Sequence, residues 1–270
     1  MIVRPPAPQL RPFVKLLWVT TPTTDGVAPA ARERVLPTGA MHLAIRLSGP
    51  PLRTFESDDD ARGRTVGHAV VGGARAAPHV RDVSEPTHSV GAMLHPGASD
   101  VLFGAPADAL AGRHTRLDDL WGRFADEVRE RLVEAAVPER QLAFFENLLI
   151  ARAPRVRGVH PAVAASLAHF AVGRSVRDMV RDTGYSHRHF LALFRREVGL
   201  TPKVHCRLLR FQAAVARLHE QTATPLADVA LDAGYSDQPH FVREFRELSG
   251  ITPGEYRRLA PRASHHVPFR

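Results

Sequence analysis

Residues 176–186 read VRDMVRDTGYS and residues 226–236 read LADVALDAGYS, one pattern written twice at an offset of 50. After one inserted residue the likeness resumes at an offset of 51. His189-Phe190-x3-Phe194-Arg195-x3-Gly199-x-Thr201-Pro202 stands against His240-Phe241-x3-Phe245-Arg246-x3-Gly250-x-Thr252-Pro253. Val176, Met179 and Val180, with Leu226, Val229 and Ala230 in the second copy, give a short helix one apolar face. Gly184 and Gly234 supply the left-handed conformation that ends that helix and turns the chain. Ser186 and Ser236 stand where they can cap the next helix, whose inward face is Phe190, Phe194 and Val198, or Phe241, Phe245 and Leu248. Gly199 and Gly250 end it, and Thr-Pro opens another helix with Thr as cap and Pro at the first helical position. Helix, tight turn, helix is the helix-turn-helix plan. Between the copies, Leu208, Leu209, Phe211, Ala214, Val215 and Leu218 predict a connecting helix. About 18 residues at ~1.5 Å each make a rod of roughly 27 Å. With the helices' own width, that can set two second helices about one DNA turn, roughly 34 Å, apart.

Working outward, the charge divides along the chain. The net charge is +8. Residues 1–154 carry 18 Lys+Arg against 18 Asp+Glu, and residues 155–270 carry 18 against 10, so all the excess lies in the C-terminal segment. A domain that sits on a polyanion needs such an asymmetry. An arginine-rich genome bias (34 of 36 basic residues are Arg) would spread over both halves. The 44% hydrophobic and 24% charged composition is that of a globular chain. No run of 18 apolar residues suggests a membrane span, and Met1 to Pro6 lacks the apolar stretch of a secretory signal. A single cysteine, Cys206, rules out an intrachain disulfide and a cysteine-rich zinc site. The expected location is the cytoplasm.

The first hundred residues read as short strands broken by Gly and Pro: Val14–Val19, Met41–Leu47, Leu52–Glu56, His68–Val71 and Ser89–His95. Asp58 to Gly63 reads as a solvated loop. From Asp118 the period changes. Leu120, Phe124, Val128, Leu132 and Ala135 mark one helix, and Pro138 restarts a second through Leu142, Phe145, Leu148 and Leu149. Arg152 to Gly158 reads as a linker. The expected architecture is an α+β N-terminal domain over residues 1–153, β-rich and barrel-like with trailing helices, serving sensing or dimerisation. An all-α DNA-binding domain over 158–262 follows, with helix-turn-helix units near 175–198 and 225–249 joined by a long helix. An apolar pocket is expected where the strands curl. The Leu120–Leu149 helix pair either packs within its domain or forms a homodimer face.

The tandem copies, the connecting helix and both Gly-x-Thr-Pro endings resemble the AraC/XylS family of bacterial transcription regulators, over about residues 158–260. The first 150 residues are similar to the sensor half of an uncharacterised branch. Pro8-x-Leu10 with Trp18, Leu36-Pro37-x-Gly39, and His95-Pro96-Gly97-Ala98 with Leu102-Phe103-Gly104 carry that likeness. The resemblance implies binding to double-stranded promoter or operator DNA and recruitment or exclusion of RNA polymerase, and it names no ligand. The expected apolar pocket points to a small organic effector, whose contact residues are unassigned.

By this resemblance, positions 188, 191 and 192 meet base edges. The outward set of the first copy is His187, Arg188, Leu191, Ala192 and Arg195. Arg188 suits guanine, whereas Leu191 and Ala192 can only touch a thymine methyl, so this copy is expected to act partly as a phosphate anchor. In the second copy Gln238, Val242, Arg243 and Arg246 face outward; Gln238 suits adenine and Arg243 guanine. Asp237 is expected to cap the helix. The plainer alternative is that these arginines are only solvated. Among 15 histidines, His42, His68, His79, His88, His95 and His114 scatter over the β-rich half without metal-ligand spacing, so no metal or other cofactor is expected. His265 and His266 read as a solvated tail, and Cys206 as a packed thiol. Neither a nucleophile motif nor a nucleotide-binding fingerprint appears, so no enzyme is expected. A DNA alkyl-repair enzyme with a similar helix-turn-helix pair would need several cysteines. An architectural DNA binder, whose N-terminal half only dimerises, remains the other alternative.

Overall fold

The structure, a computed structural model, describes residues 1–22, 31–57, 59–153, 158–221 and 223–269. Asp58 of the expected loop and residues 154–157 of the expected linker lie outside them. The N-terminal half is built on two sheets. One has the order β1-β2-β9-β4-β7-β10, formed by Ile2–Arg4 (β1), Val14–Thr20 (β2), Met41–Ser48 (β4), Ala69–Gly72 (β7), His88–Leu94 (β9) and His114–Arg116 (β10). The other runs β11-β3-β8-β5-β6: Arg32–Val35 (β3), Leu52–Phe55 (β5), Arg64–Gly67 (β6), His79–Asp82 (β8) and His266–Phe269 (β11). All described pairings are antiparallel.

Alternation along the strands decides the layers. Leu17, Val19, Leu43, Ile45, Val71, Val90 and Ala92 are buried on one face of the larger sheet. Helices Phe124–Glu134 (α4) and Pro138–Arg152 (α5), after the single turn Asp118–Trp121 (α3), pack on its strands. Val128, Leu132, Leu142, Phe145 and Leu149 are buried there, so most of the helix pair packs internally. The opposite face looks at the second sheet, where Ala44 and Val70 of the larger sheet pack with Leu52 and Val66 of the smaller one. Two short helices, Ala98–Phe103 (α1) and Ala107–Leu110 (α2), follow β9. The C-terminal half is helical: Pro161–Ala171 (α6), Val176–Thr183 (α7), His187–Val198 (α8), Pro202–Glu220 (α9), Leu226–Asp232 (α10), Gln238–Ser249 (α11) and Pro253–Leu259 (α12).

Two expectations need correction. The chain end is no solvated tail: β11 pairs with β3 from Phe269↔Arg32 to His266↔Val35, which returns the end of the helical half to the N-terminal sheet. Val267 is buried, and His266 Nδ1 lies 3.2 Å from Glu33 Oε2. The space between the sheets is also not simply apolar. His42, His79 and His114 meet there, with ring centroids 5.8 Å apart for His42–His114 and 4.8 Å for His79–His114. Burial and then Arg75 hold these imidazoles neutral, His42 down at about 4, His114 at about 2, and His79 far below its ordinary range.

Unfolding releases these histidines to an ordinary value near 6.5, so as pH falls the unfolded chain binds more protons than the folded one. The stability is fully present above about pH 6.5 and declines below it. We expect urea unfolding to show stability falling between about pH 6.5 and 5, with His79→Gln flattening that slope. An unchanged slope in the variant would contradict the assignment.

Candidate nucleic-acid interface

In the first copy, Ser175 caps α7 by accepting from Asp178 N, and Gly184 takes a left-handed φ of 69° at its end. Ser186 then caps α8 by accepting from His189 N. The second copy departs at the inserted residue. Gly234 turns the chain with φ 79°, but the cap of α11 is Asp237, whose Oδ1 accepts from His240 N at 2.7 Å. Ser236 instead donates to Asp237 Oδ2. The extra residue moves the cap one position along, and the accepted backbone bond holds the Asp237 carboxyl below its usual range. Pro239 sits in the first turn, where its missing N–H costs little.

Both second helices are fastened from behind. Phe190 and Phe194, and Phe241 and Phe245, are fully buried, and α9 supplies Leu208, Phe211, Ala214, Val215 and Leu218 beneath them. α11 has a further tie. Its buried Glu244 accepts from Arg207 at 2.8 Å and from Arg210 at 3.4 Å, while Arg207 also reaches Glu247 at 2.7 Å. The first copy has Leu193 at the place of Glu244. Cys206 on α9 is half-buried, and burial raises its thiol, as a packed rather than reactive group requires.

The outward faces carry the expected residues, with two exceptions. His187, Arg188, Ala192 and Arg195 on α8 are exposed, as are Gln238, Arg243 and Arg246 on α11. Leu191 and Val242, one on each helix, are half-buried and pack against the core. A 51-residue shift pairs Ala192 with Arg243 and Arg195 with Arg246. Among the described residues, Arg188, Arg195, Arg243 and Arg246 make no ion pair, whereas Arg174, Arg181, Arg207, Arg210 and Arg217 each have a carboxylate. These four guanidinia stand exposed on the two second helices; among the described residues Arg177 on α7 and Arg258 on α12 also lack an ion pair. α9, 19 residues long, spans about 28 Å at ~1.5 Å per residue.

Residues 179–259 match the helix-turn-helix domain family, and residues 3–116 match a domain of unknown function (DUF6597). The helical half thus carries a helix-turn-helix domain over residues 179–259. The chain is 38% identical over 85 residues to the putative HTH-type transcriptional regulator YkgA of Escherichia coli, covering 31% of this chain and 34% of that protein. It is 29% identical over 84 residues to the HTH-type transcriptional regulator MtrA of Neisseria gonorrhoeae, covering 31% and 28%. The match thus spans about a third of the length of these curated relatives. Among solved structures, ToxT of Vibrio cholerae is similar with a TM-score of 0.45 and 8% identity, over 89% of this chain and 97% of that one. A probable AraC family transcriptional regulator of Rhodopseudomonas palustris gives a TM-score of 0.33 and 26% identity, over 37% and 98%.

In this helix-turn-helix domain, Glu244→Ala leaves two partly buried guanidinia short of their acceptor. It should cost about 2–3 kcal/mol in urea unfolding, allowing for their partial exposure. Glu247→Ala removes an exposed partner and should cost less than about 1 kcal/mol. Equal costs would contradict the structural tie assigned to Glu244.

Proposed function

We propose that the chain is a sequence-specific transcription regulator that binds double-stranded promoter or operator DNA and catalyses no reaction. The observation that carries this reading is the pair of capped second helices, each with exposed arginines that have no carboxylate among the described residues. The excess positive charge of residues 155–270 supports it, because phosphate neutralisation supplies the sequence-independent part of DNA affinity. Bound at a promoter in the cytoplasm, such a protein acts by recruiting or excluding RNA polymerase, with the N-terminal half responding to a small effector. Among the described residues no helix is long and apolar enough to cross a membrane.

The two copies divide the work. Gln238 and Arg243 can each make paired hydrogen bonds to a base edge, adenine and guanine respectively. The first copy offers Arg188, but Leu191 and Ala192 add only apolar contact, so α8 reads little and Arg195 serves as a phosphate anchor. Arg243→Ala should therefore cost roughly 1–3 kcal/mol on the specific site and relax preference at one base pair. Arg195→Ala should weaken binding to all sequences alike and lower the salt slope by about one. Titrations on a selected operator and on random DNA measure the ratio of specific to non-specific affinity. An unchanged ratio for Arg243→Ala with a collapsed ratio for Arg195→Ala would reverse reader and anchor. The absence of salt-dependent DNA binding by the folded protein would refute the function itself.

A further inference from the structure

Strand register lays out the inner face of the larger sheet as rows. Leu16, Met93, His42, Gly72 and His114 form one row across five strands. Trp18, Gly91, Ala44 and Val70 form the next. Two glycines decide what this floor looks like. A β-carbon on Gly72 would stand 2.0 Å from the His42 ring, and one on Gly91 would stand 2.1 Å from the Trp18 ring. Both rings therefore lie down over bare backbone, where any other residue would push them off. Leu16, Trp18, Met93, His42, Ala44 and His114 each keep part of their surface uncovered, so the face lines a space instead of filling it.

The opposite sheet contributes His79 and Arg81 of β8, Glu33 of β3 and His266 of β11. Charge in this interior does not balance. Glu33 is engaged by Arg81 at 2.7 Å and by His266 at 3.2 Å. Arg46 is buried and donates to the Pro50 carbonyl at 2.8 Å. Arg75 follows β7, is drawn well out of water, and has no carboxylate among the described residues. Its nearest polar partner is His114 Nδ1 at 3.3 Å. A guanidinium can only donate, so His114 Nδ1 accepts and its Nε2–H is left to donate. His79 Nδ1 is buried without a hydrogen-bond partner. A withdrawn cation without an anion, beside imidazoles with unused hydrogen-bonding capacity, is costly unless something completes it. The guanidinia repel a metal ion, and among the described residues no His, Cys, Asp or Glu group is placed to hold one.

We propose that the space between the two sheets binds a small organic carboxylate, its anionic group held by Arg75 with His114 and His79, and its apolar body lying on Trp18, Met93 and Leu16. The positive end selects the anion, and the half-covered apolar rows select an organic body over an inorganic ion. His266 in the opposite wall comes from the strand that follows the helical half, so the walls of this space draw on both halves of the chain. The inference rests on the effector-responsive part of the proposed function.

The test titrates the full-length protein at pH 7 with sodium benzoate and sodium hexanoate, against benzamide, hexanamide, inorganic phosphate and zinc chloride, by calorimetry and thermal shift. At least one carboxylate should bind saturably and raise the melting temperature by mass action, with its amide about tenfold weaker or worse. Arg75→Gln should weaken that carboxylate about tenfold or more, and Arg75→Lys, which keeps the charge but not the planar fork, should weaken it less than Arg75→Gln does. The melting temperature of unliganded Arg75→Gln should not fall, because a buried charge without a partner has been removed. The proposal is overturned if the amides bind as well, if Arg75→Gln binds as the parent does, or if phosphate or zinc stabilises in place of both carboxylates. It is likewise overturned if neither carboxylate binds by about 10 mM. DNA binding measured without carboxylate in the same preparations keeps the two readings apart: its loss counts against the regulator, not against the site.

Discussion

The apolar stripe of α9 is the constraint on which the helix-turn-helix half depends. Leu208, Phe211, Ala214, Val215 and Leu218 are all buried on it. The aromatic pairs Phe190–Phe194 and Phe241–Phe245 close over the same core from the two second helices. A buried Phe or Leu side chain contributes about 1.5–3 kcal/mol, so neither unit can shift along the rod without losing several such contacts. The spacing and tilt of α8 and α11 are consequently properties of one core. On α11 the Glu244 tie to Arg207 and Arg210 adds direction to that packing, whereas Leu193 gives α8 packing alone.

That core also explains how the halves of the chain meet. The end of α8 leans on the N-terminal half: Gly97 N donates to the Glu197 carbonyl at 3.0 Å, and Arg196 reaches Asp100 at 3.2 Å. α9 donates from Gln212 to the Thr38 carbonyl. β11 then joins the second sheet beyond α12. The N-terminal half thus grips the first copy at its base and the second through the chain end, while His187, Arg188, Arg195, Gln238, Arg243 and Arg246 stay exposed.

Much of this was legible in the sequence, and the reasons differ by region. The helical half announces itself because its turns need specific residues: Gly184 and Gly234 for positive φ, Thr201 and Thr252 with the following Pro for caps. The shift of the α11 cap to Asp237 was half visible, since the inserted residue offered two candidate caps and only the local backbone chooses. Strands β2, β4, β5, β7 and β9 showed through their apolar alternation. RERV, RTVG, HVRD, HTR and HVPF, which form β3, β6, β8, β10 and β11, did not. In β3, β8, β10 and β11 the inward positions carry Glu33, His79, Arg81, His114 and His266, so the alternation that marks a strand is missing where the sheets enclose a polar space, and β6 offers only Val66. The same feature hid the histidine cluster, whose members lie far apart in sequence and meet only through sheet pairing. Leu191 and Val242 were read as outward because helical phase is ambiguous at the edge of an apolar face.

The central claim is that α9 holds two helix-turn-helix units in fixed register, so that one chain reads two successive major-groove segments on one face of a duplex. Selection of a binding site from random DNA, followed by insertion of five base pairs between its two halves, measures this directly. Half a helical turn carries the second segment to the opposite face. The account predicts that affinity for the interrupted site falls to that for random DNA, and that hydroxyl-radical footprints of the intact site show two protected segments about one turn apart. Undiminished affinity for the interrupted site would contradict a rigid pair.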